Sequence, residues 1–96
     1  MTTFDEFYAE LEAEAEAEGP EAVAQLRAFE LHFSLARQLG EQRRAQHLTQ
    51  TQLAELTGID QAEISRIERG QSNPTTATLG ALTRALGVDV KLVPVS

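Results

Sequence analysis

The twenty residues from Gln50 to Arg69, QTQLAELTGIDQAEISRIER, constrain this chain more than any other stretch. Just before them, Thr49 and Gln52 have the form of a capping box, so a helix is predicted to begin there. It is expected to end at Gly58, a residue suited to the left-handed conformation of a helix terminus. Asp60 with Glu63 repeats the capping signature, and the helix they open is expected to close at Gly70. Two such short helices, joined by a tight turn, must cross steeply and still share a core. That crossing needs a small residue at the close approach, supplied by Ala54. It needs a residue tolerant of positive φ at the turn, supplied by Gly58. It also needs apolar anchors, supplied by Leu53, Ile59, Ile64 and Ile67. An arbitrary helical hairpin has no reason to carry cap, glycine, alanine and anchors together.

The flanking segments also read as helical. Phe4, Phe7, Tyr8, Leu11 and Ala15 recur at helical spacing across residues 3–18. The Glu-Ala run within it alternates as a strand would, but both residue types favour helix. Gly19-Pro20 ends this helix, and proline suits the first turn of the next. A second helical stretch spans about 21–46, with a break expected near Leu31–Ser34 because so long a helix is unusual in a small domain. Gly40 is a second weak point. Beyond the loop 71–74, Thr75 is a good N-cap for a helix carrying Leu79, Leu82 and Leu86, closed by Gly87. The tail then alternates Val88, Val90 and Leu92 with Asp89 and Lys91, a short-strand pattern. A lone strand needs a partner, here expected from a second copy of the chain.

Composition narrows the function. There is no cysteine, so disulfides and thiolate chemistry are excluded. His32 and His47 have no ligand spacing and read as ordinary helix-surface or helix-end residues; no metal site, cofactor or catalytic constellation is expected. No run is apolar enough for a membrane span, and the acidic N-terminus does not have the form of a signal peptide. A cytoplasmic location is therefore expected. The net charge of −7 looks unfavourable for a nucleic-acid partner, but its distribution is uneven. Residues 1–30 hold nine acids and one base, whereas residues 31–96 hold six acids and seven bases. The near-neutral part can still gather several arginines on one face, and its affinity for DNA would lean on dimerisation and specific contacts more than on bulk charge.

The stretch LTQTQLAELTGIDQAEISRIERGQSNPTTATLGALTRALGV resembles the Xre/Cro-type helix-turn-helix family, the fold of lambda-like phage repressors. The resemblance covers about Leu35 to Val88. It implies an all-α, five-helix domain over residues 34–87, whose recognition helix enters the major groove of double-stranded DNA. Gln50, Gln61, Ala62, Ser65 and Arg66 then fall at base-reading positions. Glutamine can pair with adenine, arginine with guanine, and Ala62 can pack on a thymine methyl. Glu63 lies near the groove, where it would either accept from cytosine or, the favoured role, cap its own helix. Arg69, Ser72, Asn73 and Thr75 fall where the family touches phosphate, setting register without reading sequence. Arg44 is expected either to reach phosphate or to lie free in solvent. Arg43 and Glu68 hold the positions of a structural ion pair and so leave the DNA-contact set.

A bare repressor domain has no need of residues 1–33. The acidic N-terminal extension and the C-terminal strand of residues 88–96 resemble features of HigA-type antitoxins of type II toxin–antitoxin systems. That likeness implies an operator-binding homodimer that neutralises a RelE/HigB-like ribonuclease toxin and represses its own operon. Phe4, Phe7, Tyr8 and Leu11 would be the partner-binding stripe, or else pack internally. Val88, Val90 and Leu92 would form the dimer strand, or else a frayed terminus. Two alternatives stay open: a free-standing transcriptional regulator, and a protein-interaction module on the same scaffold.

Overall fold

The computed structural model describes residues 3–95, which form five helices and no strand. They are α1 (Phe4–Glu18), α2 (Pro20–Ala45), α3 (Gln50–Thr57), α4 (Gln61–Glu68) and α5 (Thr76–Leu86). The chain divides into two compact units, one up to His32 and one from Phe33 onward.

In the N-terminal unit, α1 starts with a reciprocal cap. The Thr3 hydroxyl accepts from the Glu6 backbone N–H at 3.1 Å, and the Glu6 carboxylate accepts from the Thr3 N–H at 3.2 Å. Gly19, at φ 122°, stops the helix, and Pro20 starts α2 where its missing N–H costs nothing. Ala15 is buried, Tyr8 and Leu11 are half-buried, and Phe4 and Phe7 are exposed. The Phe4 ring stacks on Tyr8 with centroids 6.0 Å apart. Burial, and then the neighbouring Glu30 carboxylate, push the Tyr8 phenol up to about 12.

The expected break near Leu31–Ser34 does not occur: α2 runs unbroken over 26 residues. That segment holds neither glycine nor proline, so no local feature interrupts the hydrogen-bond ladder. Gly40 does not weaken the helix visibly either. It is buried, and a Cβ there would lie 3.0 Å from Arg44 Nη1 and 3.4 Å from a Glu68 carboxylate oxygen. The missing side chain makes room for both groups.

In the second unit, the end of α2 joins α3, α4 and α5 around one core of Leu39, Leu53, Ile64, Ile67, Leu82 and Leu86. Leu35, Leu48, Ala54, Ile59, Leu79, Ala85 and Val88 pack at its edge. This unit therefore has four helices where the family pattern implied five. Helix α3 is central, packing on both α4 and α5. Truncating Leu53 or Ile64, at 2% and 1% exposure, to alanine is expected to cost about 2–5 kcal/mol.

Each of these four helices ends on a left-handed residue. Three are the expected kind: Gly58, Gly70 and Gly87, with φ 76°, 71° and 66°. The fourth is His47 at φ 59°, closing α2. Its N–H donates to the Arg44 carbonyl at 3.0 Å and the next N–H, of Leu48, to the Arg43 carbonyl at 3.1 Å, the paired bonds of a Schellman motif. The Gln46 side chain also donates to the Leu86 carbonyl at 2.6 Å, tying the end of α2 to the end of α5.

The tail beyond Gly87 is not a strand. Residues 88–95 carry no regular structure; Val88 touches the core, while Val90 and Leu92 are exposed at 56% and 99%. A single extended segment has no ladder to join within one chain, so the valine alternation has nothing to pair with. Among the described residues no helix is long and apolar enough to cross a membrane, and no cluster of three or more His, Asp or Glu could hold a metal.

Candidate nucleic-acid interface

Three elements assemble the candidate site: the start of α3, the whole of α4, and the loop 71–75. The Thr49 hydroxyl accepts from the Gln52 N–H at 3.0 Å and the Gln52 side chain accepts from the Thr49 N–H at 2.8 Å, fixing where α3 begins. Gln50 is thereby the first residue of α3, and Gln61 the first of α4. Asp60 precedes α4 but makes no side-chain cap, contrary to the signature it forms with Glu63. Glu63 is drawn elsewhere, as described below.

Helix α4 is sharply two-sided. Ile64 and Ile67 point into the core, while Gln61, Ala62, Arg66 and Arg69 are exposed and Ser65 is half-exposed. Gln61 and Ser65, Ala62 and Arg66, and Ser65 and Arg69 are each four residues apart, so the five line one broad outer face that continues just past the end of α4. A helix of eight residues is about 12 Å long, short enough to lie within the major groove of B-DNA.

The base of this face is an electrostatic anchor. Arg43 grips Glu68 with two parallel bonds, Nε to Oε2 at 2.7 Å and Nη2 to Oε1 at 2.9 Å. Its remaining arm, Nη1, donates to the Leu48 carbonyl at 2.8 Å. The side chains are 12% and 8% exposed, and the Glu68 bonds raise the Arg43 pKa against the opposing effect of burial. Gln50 Nε2 then donates to Glu68 Oε1 at 3.3 Å, and Gln61 Nε2 donates to Gln50 Oε1 at 2.7 Å. A continuous chain thus runs Arg43, Glu68, Gln50, Gln61. Sequence reasoning separated the ion pair from the reading positions; the geometry joins them through Gln50.

A second cluster occupies the middle of α4. Arg66 Nη2 donates to Glu63 Oε2 at 2.9 Å, and the Ser72 hydroxyl donates to Glu63 Oε1. The Ser72 bond first, and the Arg66 bond second, hold the Glu63 carboxyl below the usual glutamate range. Neither the cap expected of Glu63 nor an unoccupied Ser72 is seen, because each satisfies the other across nine residues of chain. Nothing local in the sequence marks that contact.

The remaining phosphate candidates are arranged around the face. Arg69 lies just beyond α4 with Nε 3.3 Å from the Ser65 carbonyl, and Asn73 is exposed. The Thr75 hydroxyl is used as the N-cap of α5, accepting from the Thr78 N–H at 3.1 Å and bonding the Thr78 hydroxyl. Arg44 is exposed and lies back over Gly40. Phe33, which the sequence marks only as part of an apolar helix stripe, supports this region: its ring fills the space that a Cβ on Gly70 would need.

With this geometry in view, comparison with known proteins gives the class. The Helix-turn-helix family model matches residues 39–93, and the chain belongs to that family. An uncharacterised HTH-type transcriptional regulator of Haemophilus influenzae is 37% identical over 70 residues, covering 73% of this chain and 71% of that one. The Sinorhizobium fredii regulator y4dJ is 46% identical over 52 residues, 53% of this chain and 68% of its own. An immunity repressor protein of Bacillus phage phi105 is 39% identical over 51 residues, 53% of this chain and 35% of the repressor. No solved structure gives a significant match.

Proposed function

We propose that this protein is a sequence-specific operator-binding repressor that reads double-stranded DNA with Gln50, Gln61, Ala62, Ser65 and Arg66, while Arg69, Asn73 and Arg44 grip phosphate; the Ser72 and Thr75 hydroxyls are already spent on Glu63 and on Thr78. The observation carrying this reading is the two-sided α4, whose outer face exposes amide and guanidinium groups able to pair with base edges. Gel-shift with the gene's own promoter tests it. Arg66→Ala is expected to cost about 1–3 kcal/mol and to relax preference at one base; unchanged binding and preference would remove Arg66 from the reading set.

Within that function, the HigA-type antitoxin reading is favoured by the first thirty residues. Their net negative charge and the exposed Phe4 and Phe7 suit a basic protein partner such as a RelE/HigB-like ribonuclease toxin. Deleting residues 1–18 should leave operator binding intact and abolish toxin neutralisation; loss of DNA binding instead would make the arm structural. The likeness to a phage immunity repressor favours a second reading, a free-standing repressor with no toxin partner. A toxin-sized reading frame abutting the gene would favour the first, and its absence the second.

We further propose that the tail, which has no pairing partner within one chain, serves a homodimer. Antiparallel pairing of two copies about Val90 would set Asp89 against Lys91 of the second copy on both sides, and Val88 against Leu92. Exposed backbone and apolar side chains would be satisfied together. Val90→Pro removes a ladder donor and should yield monomers by sedimentation. A variant that stays dimeric would move the interface elsewhere.

A further inference from the structure

We propose that Glu63 is a specificity-determining positioning residue: it holds the Arg66 guanidinium in one orientation, so that Arg66 reads a base instead of reaching for phosphate. The proposal rests on the reading of α4 as the recognition helix, and it assigns a role to a residue that an ordinary helix-capping pattern would have absorbed.

Three observations carry it. The Glu63 carboxylate is fixed at both oxygens, one by Ser72 from the following loop and one by Arg66 from its own helix at 2.9 Å. It is therefore anchored to a second segment of chain, unlike an exposed helical ion pair whose two ends both wander. The bond engages Arg66 through Nη2 alone, which leaves donors of the guanidinium available to a guanine edge. Finally, Arg66 is half-exposed, at 48%, on the same outer face as Gln61 and Ser65. A long flexible cation there would ordinarily satisfy itself on any phosphate. A fixed carboxylate beside it opposes that, by holding the cation and by repelling the DNA backbone.

The test is selection from a randomised duplex library by the purified full-length chain, followed by titration of the selected site and of unrelated DNA. Glu63→Gln is the informative variant. It keeps the shape and an oxygen for Ser72, and removes the charge that holds Arg66. The expected result is roughly a tenfold loss of preference at one base pair, with affinity for unrelated DNA unchanged or raised. In an Arg66→Ala background the same substitution should change base preference no further. The proposal is overturned if Glu63→Gln leaves the selected sequence unaltered, or weakens all sequences equally, which would mean that Glu63 only anchors the loop. It is also overturned if the effect persists without Arg66. A wild-type chain that selects no sequence at all would overturn the recognition-helix reading itself, a result distinct from these.

Discussion

Gln61 Nε2 donates to Gln50 Oε1 at 2.7 Å, so the first residues of α3 and α4 are bound to each other before any ligand arrives. Gln50 leans in turn on Glu68, itself held by Arg43. Orientation at the surface is thereby set by a pair of charges beneath it. Breaking that pair on one side, with Arg43→Ala or Glu68→Ala, is expected to cost about 3–5 kcal/mol, because a part-buried charge is left without its partner. Replacing both together, Arg43→Met with Glu68→Leu, should recover most of that stability in urea denaturation. It should still blunt operator preference, since Gln50 loses its acceptor.

Gly58 and Gly70 share a left-handed backbone but not a neighbourhood. A Cβ on Gly58 would meet open space, whereas one on Gly70 would run into the Phe33 ring. Gly58→Ala should cost about 1–2 kcal/mol, the backbone penalty alone. Gly70→Ala should cost clearly more in the same denaturation experiment. Shrinking the ring, with Phe33→Ala, should remove much of the difference between them.

His47 carries the same backbone strain without the residue that relieves it. His47→Gly is expected to raise stability by about 1 kcal/mol, the left-handed penalty for a side chain less the added freedom of glycine in the unfolded chain. For a chain of this size that corresponds to a thermal midpoint about 4–8 °C higher.

Tyr8 is the sole tyrosine, and there is no tryptophan, so its ionisation can be followed alone by ultraviolet absorbance. The phenol ionises near about 10 in an unfolded chain and about 12 here. The folded value is the higher one. Its contribution to the N-terminal unit is therefore complete below pH of about 10 and disappears as pH climbs through about 12. The titration should have its midpoint well above that of free tyrosine, and deleting the Glu30 charge with Glu30→Gln should lower it.

What the sequence made legible was what local chemistry decides. Thr49 with Gln52, Gly58, Thr75 and Gly87 each act within a few residues, and each sits where its type implies. The unbroken α2 was not legible, because the expectation of a break rested on helix length and on no residue between Leu31 and Ser34. The tail misled for the opposite reason: its alternation is real, but pairing needs a second strand that one chain does not supply. Glu63 shows a third limit. Its capping pattern with Asp60 was outcompeted by Ser72 and Arg66, and the Ser72 contact depends on how the loop after α4 folds back.

The smallness of the core, six buried side chains around α3, has a consequence for the protein's lifetime. A domain with so little apolar interior has a shallow free-energy well, and unfolded chains are what proteases consume. Any ligand that binds only the folded form deepens that well by mass action, by about 2.7 kcal/mol at a hundred times its dissociation constant. Turnover of the chain would then depend on its occupancy: the free protein would be degraded first, and the bound protein would persist.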